Sequence, residues 1–215
     1  MGEISETHFE LDSSKREALT AERAEELLAG LAAGITSVKL GGKSFGDGSA
    51  QVAADALARV APTLKHLDLA DVIASRPEDE AKRALTAIAG GLVDCKTLIS
   101  IDLSDNALGA KGIRAVGSLL AGQTALESVK LCNNGLAADA GELITKALTE
   151  VRPTNLKLLH FHNNLLETAG AMSLAPIVES SPHLEDFRFS ALRVHHEGAV
   201  RISRALASHP AGCAK

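Results

Sequence analysis

The chain has no tryptophan and no tyrosine, and only five phenylalanines among 215 residues. Surfaces that hold single-stranded nucleic acid need aromatic faces for the bases and a basic field for the phosphates. This sequence supplies neither, since 27 acidic residues outnumber 22 basic ones and the formal net charge is -5. The composition therefore argues against a nucleic-acid partner. Cysteine is scarce too: Cys95, Cys132 and Cys213 are odd in number, widely separated and without CxxC spacing, which suits a reducing compartment better than a disulfide framework. Long apolar runs are missing, none approaching the roughly 18 residues of a membrane-spanning helix. The first residues, MGEISETHFELD, lack a basic region followed by an apolar core. Neither export nor membrane insertion is read here, and the expectation is a cytosolic protein.

What the sequence does have is a repeat. The stretch LESVKLCNNGL reads as L-x-x-L-x-L-x-x-N-x-L, with Leu126, Val129, Leu131 and Leu136 on the apolar slots and Asn134 on the asparagine slot. The same frame fits Ile35-Val38-Leu40-Phe45, Leu64-Leu67-Leu69-Ala74, Leu98-Ile101-Leu103-Leu108, Leu156-Leu159-Phe161-Leu166 and Leu184-Phe187-Phe189-Val194. All 24 apolar slots are filled in a chain that is 46% hydrophobic, far beyond coincidence. The third slots fall at 40, 69, 103, 131, 161 and 189, so the steps are 29, 34, 28, 30 and 28 residues. Steps of that length leave room for a full helix after each strand. Helical faces are legible at Val52, Ala53, Ala56, Leu57 and Val60, at Ile113, Val116, Leu119 and Leu120, and at Leu143, Ile144, Ala147 and Leu148.

The pattern predicts an α/β leucine-rich-repeat solenoid of six ribonuclease-inhibitor-like long repeats. Its expected form is a horseshoe with a parallel sheet on the concave face and helices on the convex face. Residues 1–34 are expected to form an amino-terminal cap, with an edge strand over 7–11 and a helix over 20–31 capped by Thr20. Residues 35–209 form the repeat domain, and 210–215 read as a carboxy-terminal tail that looks truncated. Pro176 falls within the apolar pattern of the fifth helix and predicts a kink or a late helix start.

Two positions of the frame separate structural from functional side chains. The ninth turns inward, where Asn106, Asn134 and Asn164 are expected to form an asparagine ladder that bonds backbone groups. The eighth points out along the rim and carries Asp71, Asp105, Asn133 and Asn163, a row suited to a polar partner surface or merely tolerant of turn geometry. The 34-residue step predicts an extra loop around ADVIASRPEDE, standing proud of the rim with Arg76 near its tip. Arg76 is either a functional cation or a solvated one paired with Glu80. Cys132, His160 and His162 could converge on zinc, although no carboxylate is well placed to orient the histidines and Lys130 and Arg188 flank them. No Ser-His-Asp order, Gly-rich phosphate loop or close carboxylate pair supports small-molecule catalysis, so neither cofactor nor metal is expected.

The runs SFGDGSAQVA, LADVIASRPEDEA, LSDNALGAKGIRAV, LCNNGL, FHNNLLETAGAMSLAPIVESSPHLEDFR and VHHEGAV resemble the Ran GTPase-activating proteins, most closely the plant-type form, over about residues 35–209. The resemblance implies a regulator rather than an enzyme in its own right. It would bind GTP-loaded Ran, with a Ran-binding protein as a further partner, and stimulate hydrolysis by positioning Ran's own catalytic groups, in nucleocytoplasmic transport. It carries Arg76 of IASRPEDE and Asn133 of NNG over as the functional pair, and Asp105 of LSDNA as a contact. The cytoplasm or the nuclear envelope is the place it implies. Family members have about twice as many repeats, an acidic tail and, in plants, a targeting domain, which leaves open a non-catalytic binding module or inhibitor-like scaffold.

Overall fold

A computed structural model describes residues 3–4 and 7–208; the tail at 210–215 and Cys213 lie outside the described residues. The chain forms two compact units, Met1–Asn106 and Ala107–Lys215. Both have the α/β architecture of a leucine-rich-repeat solenoid, a parallel strand layer backed by helices.

In the first unit, β1 (Glu3–Ile4) runs antiparallel to β2 (His8–Glu10), and β2 continues in parallel through β4 (Ser37–Lys39), β6 (His66–Asp68) and β7 (Ser100–Asp102). The register places Phe9, Val38, Leu67 and Ile101 opposite one another, all buried. The strand read over 7–11 is thus found, but β1 covers it and it is not an edge. A second sheet, which the sequence did not announce, pairs β3 (Glu17–Leu19) with β5 (Lys43–Phe45) in parallel. Helices α1 (Ala21–Leu28), α2 (Asp47–Val60) and α3 (Glu78–Gly90) pack in order beside one another. Thr20 caps α1 as expected, its hydroxyl accepting the Arg23 amide at 3.2 Å.

The second unit holds α4 (Gly109–Leu120), β8 (Ser128–Lys130), α5 (Ala138–Leu148), β9 (Leu158–His160), α6 (Glu167–Glu179), β10 (Asp186–Arg188) and α7 (His196–Ala207). Strands β8, β9 and β10 are parallel, with Val129 and Phe187 each opposite Leu159. Helix α6 begins at Glu167 and runs continuously through Pro176, so the late start does not occur. The proline lies in its last turn, and the Thr145 hydroxyl donates to the Ser173 carbonyl one turn earlier at 2.7 Å. No helix among the described residues is long and apolar enough to cross a membrane.

Twenty of the 24 apolar slots are buried; Ala74, Phe187, Phe189 and Val194 are half-buried. At Ala74 the reason is local: Val72 and Ile73 fill the core of the second repeat instead, at 0% and 8% exposure. The long step is also divided differently from the expectation. Nine residues, 69–77, join β6 to α3, against six, 103–108, from β7 to α4, while nine more, 91–99, return from α3 to β7. The extra length is shared between the two connections rather than gathered in one projecting loop.

Candidate functional site

The eighth position of every repeat has left-handed backbone: φ is 79° at Gly42, 56° at Asp71, 63° at Asp105, 54° at Asn133, 59° at Asn163 and 55° at Ala191. Side chains with a Cβ resist this region by roughly 1–2 kcal/mol, and Asn, Asp and Gly resist it least. Backbone geometry thus accounts for the chemical class at five of the six rim positions, Ala191 being the exception. Cross-repeat hydrogen bonds hold that geometry, from the Asp71 amide to Ser104 O at 3.0 Å, from Asn133 to His162 O at 3.2 Å and from Asn163 to Ser190 O at 3.0 Å. Asp105, Asn133 and Asn163 are exposed and Asp71 is half-buried.

Directly beneath, the ninth position is buried in every repeat, at Lys43, Val72, Asn106, Asn134, Asn164 and Leu192. Asn106 Oδ1 accepts the Val72 amide at 2.9 Å, and its Nδ2 donates to the carbonyls of Leu69, Leu103 and Ser104 at 2.7, 3.0 and 3.0 Å. Asn164 does the same work in the second unit. It accepts from the amides of Asn134 and Leu136 at 3.0 and 3.1 Å and donates to Leu131 O and Phe161 O at 2.9 and 2.7 Å. At Asp105, Asn133 and Asn163 position eight faces solvent, whereas at Asn106 and Asn164 position nine serves the backbone.

Within the second unit, Asn163 Nδ2 donates to Asn133 Oδ1. The bond holds the Asn133 side-chain oxygen against Asn163. Within the first unit, Asp71 Oδ2 accepts from Arg16 Nε and Nη2 at 2.9 and 2.6 Å, a contact that the repeat frame could not reveal.

Arg76 departs from its expected place. Its side chain is only 18% exposed and turns inward, away from any loop tip. Nε donates to Ser44 Oγ at 3.0 Å, Nη2 to Ser44 O and Leu19 O at 2.9 and 3.3 Å, and Nη1 to Glu80 at 3.2 Å. Gly46 makes the room, since a Cβ there would lie 2.3 Å from Glu80 Oε1 and 2.7 Å from Arg76 Nη1. The guanidinium therefore clasps β3 and β5 to the start of α3. Arg76→Ala strands two part-buried carbonyls and is expected to cost about 2–4 kcal/mol. Arg76→Lys should not recover it, because an ammonium cannot bridge the same set of acceptors. Thermal unfolding, with limited proteolysis of residues 7–20, checks this; an unchanged melting temperature in Arg76→Ala would refute the clasp.

The three candidate zinc ligands do not converge. Cys132 Sγ lies 3.1 Å from His162 Nδ1, while His160 Nε2 lies 3.1 Å from Asp186 Oδ1, and the two imidazole centres are 6.3 Å apart. Among the described residues no group of three or more His, Cys, Asp or Glu is arranged to hold a metal ion. Asp186 is a carboxylate at His160 that sequence reading missed, because it comes from the next strand. Burial lowers the His160 pKa below the ordinary histidine value and outweighs the opposing pull of Asp186. The unfolded chain therefore takes up this proton first as pH falls. Stability from His160 is full above the ordinary histidine pKa and is lost as pH drops through the folded value. Melting temperature should fall from about pH 7 to pH 5, and His160→Gln should fall less steeply over that window. Parallel slopes would remove His160 as a cause.

Comparison with known proteins adds the family. The model of the family described as Leucine Rich repeat matches residues 94–117. The RAN GTPase-activating protein 2 of Arabidopsis thaliana is 42% identical over 127 residues, covering 58% of this chain and 23% of that protein. The Ran GTPase-activating protein 1 of Xenopus laevis is 32% identical over 169 residues, covering 73% of this chain and 29% of that protein. By sequence this chain is similar to a part of the Ran GTPase-activating proteins of Arabidopsis and Xenopus. It spans about a quarter of the length of these Ran GTPase-activating relatives. Among solved structures, the tropomodulin C-terminal domain of Caenorhabditis elegans has a TM-score of 0.48 at 15% identity, covering 60% of this chain and 76% of that one.

Proposed function

We propose that this chain binds the small GTPase Ran in its GTP-bound form and stimulates hydrolysis of the bound nucleotide, in nucleocytoplasmic transport. The observation that carries the reading is the 42% identity over 127 residues to RAN GTPase-activating protein 2 of Arabidopsis. Intrinsic GTP hydrolysis is slow because the attacking water is poorly ordered and the charge of the transition state poorly neutralised. An activator can remedy the first defect by orientation alone, without entering the nucleotide site. Asn133 suits that role: it is exposed, its backbone is pinned to His162 O, and its carboxamide is set by Asn163. Its amide would order the groups that Ran itself brings to the reaction, while GTP and Mg²⁺ arrive with Ran. Arg76, enclosed by Ser44, Leu19 and Glu80, would act as a positioning residue that keeps the first unit in shape. Asp71 and Asp105 of the first unit and Asn163 of the second would supply further polar contacts to the partner. The activity belongs to the cytoplasm or the nuclear envelope.

Single-turnover hydrolysis on GTP-loaded Ran, over a range of concentrations of this chain, is the test. Saturable acceleration supports the activator. Binding with unchanged hydrolysis would replace it with a non-catalytic binding module, and the absence of both would remove Ran as the partner.

A further inference from the structure

We propose that the amino-terminal cap forms part of the partner surface, with Arg16 presenting an oriented guanidinium to a carboxylate of the GTPase. This rests on the activator reading above and names a contact outside the repeats.

The cap turn is seated on the rim of the first repeat. Residues 12–16 close through the Ser14 amide, which donates to Asp12 Oδ1 at 2.8 Å. A Cβ at Gly42, the eighth position of that repeat, would lie 3.0 Å from Ser13 Cβ, so the turn occupies the place where the second to fifth repeats carry Asp or Asn. Lys43, at the ninth position, is 5% exposed and reaches up from below, its Nζ donating to Lys15 O at 2.7 Å. The backbone next to Arg16 is thereby fixed from one side, and β3 begins immediately on the other.

The side chain is fixed as well. Nε and Nη2 of Arg16 both donate to Asp71 Oδ2, and the Asp71 backbone is itself held by its left-handed turn and the bond to Ser104 O. This arrangement uses the Nε side of the fork, so the Nη1–Nη2 edge is not the one that meets Asp71, on a side chain that is 63% exposed. That edge matches a carboxylate in two parallel bonds. Exposed ion pairs contribute little to folding. A pair with a pre-set, open guanidinium edge is better accounted for by recognition, where holding a long side chain in place beforehand lowers the entropy lost on binding. The rim thus offers a cation at the first unit's cap beside its carboxylates, and the complementary partner group is acidic.

The experiment measures single-turnover hydrolysis on GTP-loaded Ran with wild type, Arg16→Ala and Arg16→Lys. Arg16→Ala is expected to raise the half-saturating concentration about tenfold, in line with losing one charge-assisted contact. The maximal rate should stay within about twofold, because orientation at Asn133 is untouched. The defect should shrink as salt screens the pair, Arg16→Lys should recover only part of it, and melting temperatures should match. Acceleration by wild type with an unchanged half-saturating concentration in Arg16→Ala overturns the proposal and leaves the activator reading intact. So does a loss confined to the maximal rate. A wild-type chain that neither binds nor accelerates Ran overturns both.

Discussion

Asn106→Ala is expected to melt roughly 10 °C or more below wild type, although it removes only a carboxamide. The side chain is 2% exposed and satisfies one amide and three carbonyls from two repeats. Alanine fits sterically but strands the buried Val72 amide and takes one bond from each of three carbonyls, of which Ser104 O keeps the Asp71 amide. Each such loss costs about 1–3 kcal/mol, softened where a carbonyl has a second bond or a water enters, so a total near 3–5 kcal/mol is expected. For a chain of this size 1 kcal/mol moves the midpoint by about 2–4 °C. Asn164→Ala should behave alike, since it strands the Asn134 and Leu136 amides. Calorimetry or thermal circular dichroism is sufficient; a shift under about 3 °C in both variants would show that water replaces the ladder freely.

The opposite dissociation is expected one residue before the buried Asn134. Asn133→Gly should lower the maximal single-turnover rate on GTP-loaded Ran by about 100-fold or more while melting within a few degrees of wild type. Glycine is the proper replacement because φ at Asn133 is 54°. Alanine would add a backbone penalty of roughly 1–2 kcal/mol and blur the separation of roles. Asn163→Gly removes the donor that orients Asn133 and should give a smaller loss of the same kind. A maximal rate unchanged in Asn133→Gly would exclude Asn133 from the reaction.

The sequence discloses what repeats and conceals what does not. Strands β4 and β6 to β10 follow from the spaced apolar slots, and the long helices follow from faces such as Ile113, Val116, Leu119 and Leu120, because burial imposes a period on the chain. The division between positions eight and nine follows from the same frame. Arg76 was misplaced because its partners, Leu19 and Ser44, lie 57 and 32 residues away on β3 and β5, a strand pair that the repeat frame does not announce. Arg16 was missed for a related reason: Asp71 is 55 residues distant, and nothing periodic connects a cap to a rim. Asp186 beside His160 depended on the register of β10 against β9. Ala74 filled its slot in the text while Val72 and Ile73 filled the core, a substitution that only packing decides.

The left-handed turn at the eighth position has an evolutionary consequence. A residue there must tolerate left-handed backbone, which favours asparagine, aspartate and glycine, the residues at five of the six positions, with Ala191 as the exception. Asparagine and aspartate are nearly the same size, so a single nucleotide change can add or remove one unit of charge at a rim position without disturbing the turn below. Each repeat therefore behaves as a one-bit charge setting on a common backbone. A family built this way can drift between partners of different charge in steps that leave its folding almost untouched.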